Sequence, residues 1–321
     1  MTQRWLPEGL YSLGAELGRA LDSRLKIPVV GDTQFWLDLP ELLVGNPSRP
    51  EQPVKWSNGY LCLDLGPDDL ETWTSFLSVA GSDPEPESLA KRAQVWRLPV
   101  IPFRENARKV QPLDLGNISG KVDLRGKQVL DLTSMWAGPL CSELLGRAGA
   151  RVIKIEADVR PDGLRFGDGD DGTGQAPMFL ELNKSKEIWN LDLRKCVTSS
   201  AFEQLVKSSD LVVSSMSRRA LFNLGLTADH LMLINKNVCS LSINAFAAGT
   251  PEESWIAYGT GVHAASGLGW TSTIPTSPAY SYPDPIAGLS ACLIAVAQLA
   301  GEAEQHREVS LEESIAPLVN K

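Results

Sequence analysis

A single acidic residue stands at the start of the longest apolar stretch of the chain, SYPDPIAGLSACLIAVAQLAG (281–301). This residue, Asp284, lies between two prolines and precedes Gly288 by four positions. A carboxylate at the start of a helix commonly caps it and contributes roughly 0.5–2 kcal/mol to its stability. The same position can hold a carboxylate nucleophile ionised and directed, because the N-terminus of a helix favours negative charge. Taken alone, the sequence favours the cap and leaves the nucleophile open.

Two further segments have residue types that suit a phosphorylated ligand. SMWAGP (134–139) joins a predicted strand to a predicted helix, where free backbone N–H groups receive phosphate or carbonyl oxygens. Considered alone, it is more often a tight structural turn. The segment NKSKEIWNLDLR (183–194) contains Lys184, Lys186 and Arg194 on an otherwise acidic chain. This local reversal of charge favours a phosphate site over a solvated face.

The sequence gives little support for a metal site or for a Ser–His–Asp catalytic triad. His230, His263 and His306 are far apart, without a ligand spacing, and no GxSxG motif is present. The loop FGDGDDGTGQ (166–175) lacks the third acidic ligand of a calcium loop, and Phe179 replaces the closing glutamate. The five cysteines are scattered without a CxxC pair. We therefore expect no metal.

The composition is that of an ordinary globular protein. The chain has 321 residues, 43% hydrophobic and 21% charged, with a net charge of −9. This length allows two domains, and the charge argues against nucleic acid or an anionic membrane as a partner. The start of the chain does not resemble a signal peptide, and the apolar stretch from Ile286 to Ala300 is expected to be too short for a membrane span. We expect a cytoplasmic protein.

From Val122 onward, short apolar strands alternate with helices. This order predicts an α/β fold with a doubly wound, Rossmann-like parallel sheet, whose ligands bind past the carboxyl ends of the strands. The predicted strands are KQVLDLT (127–133), ARVIKIE (150–156), IWNLDLR (188–194), DLVVSS (210–215) and NVCSLSINAF (237–246). The segments expected along one edge of the sheet are 134–139, 156–162, 215–220 and 245–249.

The N-terminal part has a different pattern. The segments GYLCLDL (59–65) and PVIPF (99–103) read as strands, and DDLETWTSFL (68–77) and PESLAKRAQVWRL (86–98) as helices. We predict a small α+β domain over residues 1–110, which continues through a linker (104–120) into a Rossmann-like CoA-binding domain over 111–321. The CoA in that description comes from the resemblance that follows.

Six segments, taken in order, resemble class III CoA-transferases, a family that includes formyl-CoA:oxalate and carnitine CoA-transferases and α-methylacyl-CoA racemase. The resemblance covers about residues 120–316, and its first block is the most specific. The segments are GKQVLDLTSMWAGPLCSELLGRAGARVIKIEADVRPDGLR, NKSKEIWNLDLR, SSDLVVSSMSRRALFNLGL, HAASGL, DPIAG and REVSLEESI.

The resemblance implies that Asp284 is the catalytic residue. It would attack a donor thioester to form an aspartyl anhydride, which CoA thiolate converts to an aspartyl-CoA thioester for an acceptor carboxylate. The resemblance also implies coenzyme A as acyl-CoA substrate and a small carboxylic acid as second substrate. The family's own dimer cannot be carried over to this order of domains, but we expect a homodimer, because the long helix after Asp284 leaves apolar surface that a partner must cover. Contacts to CoA are expected from Trp136, Ala137, Gly138, Lys186, Leu191, Arg194, Ser215, Met216 and Leu224.

The chain departs from the family pattern at several of these places. Trp136 would narrow the acyl site, where the family often has a small or polar residue. Ser215 and Met216 replace an asparagine and a phenylalanine, and Glu187 and Asn223 replace two arginines. Each replacement removes an expected contact to the cofactor.

Two alternatives to a transferase remain open at this point. A 2-methylacyl-CoA racemase or epimerase would need a histidine where this chain has Tyr258. A non-catalytic CoA-binding member or partner subunit would explain the lost contacts. The small domain also precedes the large one here, whereas it follows in the family, so the order resembles a permutation or half of a tandem ancestor.

Overall fold

The computed structural model describes residues 5–45, 52–81, 85–106 and 108–320 of the chain. In these ranges the strands are β1 (Val54–Trp56), β2 (Gly59–Leu63), β3 (Val100–Pro102), β4 (Gln128–Leu132), β5 (Arg151–Glu156), β6 (Glu187–Asn190), β7 (Leu211–Ser214), β8 (Cys239–Asn244) and β9 (His306–Ser310). The helices are α1 (Leu10–Arg24), α2 (Thr33–Leu37), α3 (Leu39–Val44), α4 (Leu70–Ala80), α5 (Pro86–Val95), α6 (Ala137–Arg147), α7 (Pro177–Glu181), α8 (Leu193–Cys196), α9 (Ser200–Ser208), α10 (Arg218–Leu224), α11 (Ala228–Ile234), α12 (Gly259–Ala265), α13 (Pro283–Ala300) and α14 (Leu311–Val319).

Six strands form one sheet in the order β6-β5-β4-β7-β8-β9, and every neighbouring pair is parallel. The order reverses between β4 and β7, because the chain adds β5 and β6 on one side of β4 and later strands on the other. Such a reversal opens a crevice at the carboxyl ends of the strands, where doubly wound sheets bind ligands. The doubly wound α/β fold is thereby confirmed, and the crevice lies between the segments that follow β4 and β7.

Both faces of this sheet are covered by apolar helices. Val129 and Val213 point into a core shared with α1, α6 and α13. Their chain neighbours Leu130 and Val212 point into the opposite core, shared with α9 and α11. Because successive side chains of a strand alternate between faces, strands that are buried on both sides read as continuous apolar runs.

Helix α13 lies at the centre of the larger core and packs against α6, α1 and α14. It is long and apolar enough, by length and composition, to cross a membrane, yet 94% of it is buried inside the protein. The expectation that this stretch is too short to span is therefore wrong on length, but its burial is typical of a core helix. It also removes the reason for expecting α13 to leave an apolar face for a dimer partner, because helices of the same chain cover it.

The antiparallel strands β1, β2 and β3 form a separate small sheet in that order. Leu61, Phe76 and Leu89 belong to its own core, which it shares with α4 and α5. The side chain of Gln94 joins this unit to the larger one, since it donates to the carbonyl of Ile256 at 2.9 Å and accepts from its N–H at 2.7 Å. Helix α12 packs against both β2 and β3.

The first helices do not belong to this small unit. Leu17 and Leu21 of α1 lie in the larger core, and α1 packs against α13. A Cβ added at Gly18 would lie 2.3 Å from the Thr33 hydroxyl, so glycine allows α1 and α2 to approach closely. The helices within residues 10–39 thus pack in the core of the parallel-sheet unit. The antiparallel unit comprises residues 54–102. The domain boundary at residue 110 stays a prediction.

Two predicted elements differ from those observed. ALFNLGLTADHLMLIN is expected as one helix, but Gly225, with φ of 66°, ends α10 before α11 begins. The strand expected over IWNLDLR ends at Asn190. There the Asp192 carboxylate accepts the N–H of Arg194 and starts the short helix α8, because a local side-chain acceptor competes with strand pairing.

Candidate active site

Asp284 lies in the first turn of α13, two residues after the N-cap residue Tyr282. It is 8% exposed. Its Oδ2 accepts hydrogen bonds from the Ser281 hydroxyl at 2.6 Å and from the Gly259 N–H at 3.2 Å. The carboxylate is therefore held by groups outside its own helix and does not serve as the N-cap. This corrects the capping interpretation of the sequence.

Burial raises the pKa of the Asp284 carboxyl to about 6. The hydrogen bonds from Ser281 and Gly259 oppose this rise, whereas the charge of Asp64 adds to it. A desolvated carboxylate with a raised pKa is more basic than a solvated one and is ionised only above about pH 6. Such a shift in a buried group is typical of functional sites.

The small antiparallel unit contributes Asp64, which follows β2. Asp64 Oδ2 accepts a hydrogen bond from the Thr260 hydroxyl at 2.5 Å. The adjacent residue Gly259 donates its N–H to Asp284, so the start of α12 connects the two carboxylates. Sequence reasoning missed all three residues, because Asp64 and Thr260 are 196 positions apart along the chain.

Tyr258, in the position of the racemase histidine, lies among several charges. The residue is 40% exposed. Burial raises the pKa of its phenol, Asp69 and Asp64 raise it further, and Arg160 opposes them. A phenol with a raised pKa stays protonated at neutral pH and does not act as a base.

The segment 134–139 packs against α13, the helix that carries Asp284. A Cβ added at Gly288, one turn after Asp284, would lie 2.8 Å from the Ala137 carbonyl oxygen, so glycine allows α13 to touch the start of α6. Gly138 is equally constrained, because a Cβ there would lie 2.4 Å from Thr133 Cβ. No side chain caps α6 at its N-cap Trp136. The start of α6 therefore packs directly against α13, one turn after Asp284.

Trp136 is buried, with 7% of its surface exposed, and its ring lies 6.1 Å from that of Tyr280. Within the described residues, its indole N–H has no hydrogen-bond partner. A buried unpaired donor is uncommon in folded proteins. The expectation that this side chain narrows the acyl site stays a prediction.

Lys186 has a different environment from the one expected. Its side chain is fully buried, and its ammonium donates to Asp131, to the Pro139 carbonyl and to Asn183, each at about 3 Å. Burial lowers the pKa of Lys186 to about 8 even though Asp131 opposes the shift. The ammonium is therefore directed into the protein beneath α6 and is not presented to a phosphate in this structure.

The other expected cofactor residues lie along the carboxyl edge of the sheet. Arg194 is 68% exposed at its side chain and pairs with Asp192. The Leu191 N–H donates to the Glu156 carbonyl, which continues the pairing of β6 with β5. The Ser215 hydroxyl accepts the N–H of Ser134 at 3.0 Å, so the segments after β4 and β7 are joined at the crevice.

Met216 and Leu224 are half-buried and pack against the second core, beneath the edge. Two surface cavities, of about 330 and 440 Å³, lie elsewhere and are not lined by Asp284. No group of three or more His, Cys, Asp or Glu side chains suited to a metal occurs in the part of the chain that the structure describes. The carboxylate thus lies apart from both of these cavities.

Comparison with known proteins defines the class of this fold and site. The CoA-transferase family III matches residues 124–320, more than half of the chain. The chain belongs to this family, as the resemblance of its motifs predicts. The match spans the parallel sheet, the segment 134–139 and Asp284.

Among curated proteins, the chain is 32% identical over 199 residues to "Probable CoA-transferase Rv1866" of Mycobacterium tuberculosis, covering 59% of this chain and 25% of that protein. It is 31% identical over 149 residues to formyl-CoA:oxalate CoA-transferase of Escherichia coli, covering 46% and 36% respectively. The chain thus spans only about a quarter to a third of the length of these curated relatives.

Two solved structures share the fold. Rv3272 of M. tuberculosis is 25% identical with a TM-score of 0.54, over 61% of this chain and 57% of that one. A CAIB/BAIF family protein of Brucella suis is 23% identical with a TM-score of 0.53, over 60% and 54%. The second likeness, at this identity, concerns the fold alone.

Proposed function

We propose that this protein transfers CoA from an acyl-CoA to a carboxylic acid, with Asp284 as the nucleophile. The observation that carries the proposal is the buried carboxylate of Asp284 on α13, a helix that packs against the start of α6 at Gly288, in a chain of this family. A carboxylate is both a nucleophile and a leaving group of reactivity matched to the two acids. Activation therefore passes from donor to acceptor without ATP.

The reaction has two symmetrical halves. An Asp284 oxygen attacks the thioester carbon of the donor, the C–S bond breaks, and CoA leaves as a thiolate. The thiolate then attacks the Asp284 carbonyl of the anhydride, which releases the donor carboxylate and leaves an aspartyl-CoA thioester. The acceptor carboxylate attacks this thioester, and the thiolate released in that step attacks the acceptor carbonyl. The acyl-CoA product departs, and Asp284 is again a carboxylate.

The surroundings of Asp284 support these steps in two ways. Burial of the carboxylate removes water that would hydrolyse an anhydride and strengthens nearby electrostatic interactions. The N–H groups at Ala137 and Gly138 lie at the start of α6, where backbone donors favour developing negative charge on a carbonyl oxygen. Because Asp284 is 8% exposed, substrate entry requires this region to open.

The proposed CoA site follows the carboxyl edge of the sheet. We place the pantetheine arm past Ala137 and the phosphates near the exposed cations Arg194 and Arg160, which lie after β6 and β5. The buried Lys186 is assigned a structural role instead. We propose that Ser215 contributes indirectly, because its hydroxyl holds the backbone of Ser134 at the start of the segment 134–139.

The alternatives are weaker for physical reasons. A racemase needs a second base opposite Asp284, and Tyr258 has a phenol whose pKa is raised away from neutrality. A non-catalytic member would have no need of a buried nucleophile with a raised pKa. The argument for a non-catalytic member is that Glu187 and Asn223 replace two arginines of the family pattern.

The assembly and the location belong to the proposal as well. We propose a homodimer, in which a second copy would supply further surface at the site. We propose a cytoplasmic location, since the five cysteines are scattered along the chain without the spacing of a disulfide framework. Sedimentation at high concentration tests the dimer, and a monomer there would contradict it.

Trapping of the intermediate tests the proposal. The protein is incubated with a panel of acyl-CoA thioesters and with hydroxylamine, which converts an aspartyl thioester to a stable hydroxamate. We expect the modification on the peptide that contains Asp284, and none in Asp284→Asn. Glu313→Gln, at the start of α14, is a matched control and should be modified like the wild type. Modification of Asp284→Asn at wild-type level would show that the nucleophile is another residue.

A further inference from the structure

The segment after β4 contains a residue in an unusual backbone conformation. Met135 has a φ of 69°, in the left-handed region that side chains other than glycine rarely adopt. It stands directly before Trp136 and α6, so its conformation sets the direction in which α6 begins. Backbone strain of this kind persists only where the surroundings enforce it.

The surroundings of Met135 enforce its conformation through Asp162. The N–H of Met135 donates to Asp162 Oδ1 at 3.0 Å, and the same oxygen accepts the N–H of Leu164 at 3.1 Å. Asp162 is 3% exposed. It lies 27 positions away along the chain, in the segment after β5. The bond therefore ties the carboxyl ends of β4 and β5 together.

Asp162 is in turn held by a buried lysine. Lys154, in the middle of β5, donates to Asp162 Oδ2 at 3.0 Å and to the Thr133 carbonyl at 2.6 Å. Both side chains of the pair are 1% exposed. A buried ion pair is weak evidence for stability, because apolar residues of similar volume often serve as well. Its contacts on both sides of Met135 indicate a role in geometry.

At its other end, the turn leads into α6, whose start packs against α13, the helix that carries Asp284. The Ala137 carbonyl lies against Gly288, one turn after Asp284 in α13. Ser134, directly before Met135, is held by the Ser215 hydroxyl. A rotation at Met135 would therefore move the start of α6 relative to the carboxylate.

We propose that Asp162, oriented by Lys154, is a positioning residue that holds Met135 in its left-handed conformation and so aligns the start of α6 with Asp284. This inference rests on the proposed function for its catalytic consequence. Asp162 touches no reacting atom, and it acts through the backbone of Met135.

Two matched double variants separate the hydrogen bond from the charges. Lys154→Met with Asp162→Asn removes both charges but keeps an acceptor for the Met135 N–H. Lys154→Met with Asp162→Leu removes the charges and the acceptor, with a side chain of nearly the same shape. Neither variant leaves an unpaired buried charge, so both are expected to fold. A third variant adds Met135→Gly to the leucine pair, because glycine adopts a positive φ without strain.

The catalytic readout is kcat and KM for CoA transfer with an accepted acyl-CoA. We expect the leucine pair to lose kcat on the order of 100-fold, with little change in KM, because misplacement near 1 Å has effects of this size. The asparagine pair should stay near the wild type, and Met135→Gly should restore much of the loss. Equal losses in both pairs, no loss in the leucine pair, or no rescue by glycine would each overturn the inference.

A second readout does not depend on activity. The chain has five methionines, so selective ¹⁵N-methionine labelling gives few NMR signals, and the Met135 signal is identified by its absence in Met135→Leu. We expect slow amide exchange at Met135 in the wild type and the asparagine pair, and fast exchange in the leucine pair. Unchanged exchange in the leucine pair would overturn the positioning role. A wild type that shows this pattern but forms no aspartyl thioester would contradict the proposed function alone.

Discussion

The N–H of Gly259 donates to Asp284 Oδ2 at 3.2 Å, and a Cβ at Gly259 would lie only 2.3 Å from that oxygen. The start of α12 can therefore approach the carboxylate only because residue 259 is glycine. The next residue, Thr260, binds Asp64 of the small antiparallel unit. Through these two neighbours, both units of the chain meet at the candidate nucleophile.

Gly259→Ala is expected to displace Asp284 and lower the rate of transfer on the order of 100-fold, since the added methyl would have to share the space of the carboxylate oxygen. Steady-state kinetics and formation of the aspartyl thioester measure the effect. Gly66→Ala is the control, because its φ of −76° suits alanine and its nearest neighbour is 3.6 Å away. A Gly259→Ala enzyme with the kinetics of the control would contradict the proposed approach.

The pH dependence of the first half-reaction should follow the ionisation of Asp284. Because burial raises the pKa of this carboxyl to about 6, the rate should rise with pH through about 6 and level off above it. Asp64→Asn keeps an acceptor for Thr260 but removes a charge that raises this pKa, so the midpoint should move to lower pH. A midpoint that moves upward in Asp64→Asn would contradict the assignment.

The same raised pKa predicts a cost in stability. Unfolded Asp284 ionises near pH 4 and folded Asp284 near 6, so the folded state binds the extra proton between these values. Stability contributed by this group is therefore full below about pH 4 and is lost as pH rises through 6. Asp284→Asn should be more stable than the wild type by about 1–3 kcal/mol at pH 7. Denaturant unfolding should show this gap narrowing below pH 5, and an equal gap at pH 4 and 7 would argue against the shift.

Much of the fold followed from patterns in the sequence. The strands β4, β5, β7 and β8 and the crevice after β4 were predictable, because apolar runs with turn signals specify a parallel sheet. Asp284 and the segment 134–139 were assigned to one site by resemblance to the family, and this assignment stays a prediction. Helix α1 was not predicted, since its place in the core depends on packing against α13 and on a close approach to α2 at Gly14 and Gly18 that composition does not indicate.

The partners of the charged residues could not be read from the sequence. Lys186 belongs to a local basic segment of the sequence, but its ammonium pairs with Asp131, 55 positions away, and is buried. Asp64 follows strand β2 of the small unit and meets Thr260 only after both units have folded. Contacts between residues that are far apart in the sequence depend on the tertiary structure. The spacing of residues within one segment predicts only contacts within a single helix or strand.

Lys186 should therefore matter for stability more than for phosphate binding. Lys186→Met leaves the buried Asp131 without a counter-charge and is expected to cost about 3–5 kcal/mol in free energy of unfolding. Adding Asp131→Asn should recover much of this loss. Lys184→Met, at a side chain that is 70% exposed, is the control and should change stability little. A stable Lys186→Met protein with selectively weakened binding of CoA would contradict this role.

The most direct test of the central claim follows the oxygen atoms. In the proposed mechanism the acceptor carboxylate forms an anhydride with Asp284, and attack by CoA thiolate on the acceptor carbonyl leaves the bridging oxygen on the aspartate. With an acceptor acid labelled with ¹⁸O in its carboxylate, multiple turnovers should place ¹⁸O in the Asp284 side chain, detectable by mass spectrometry of its peptide. Formation of the acyl-CoA product without label in Asp284 would contradict the account.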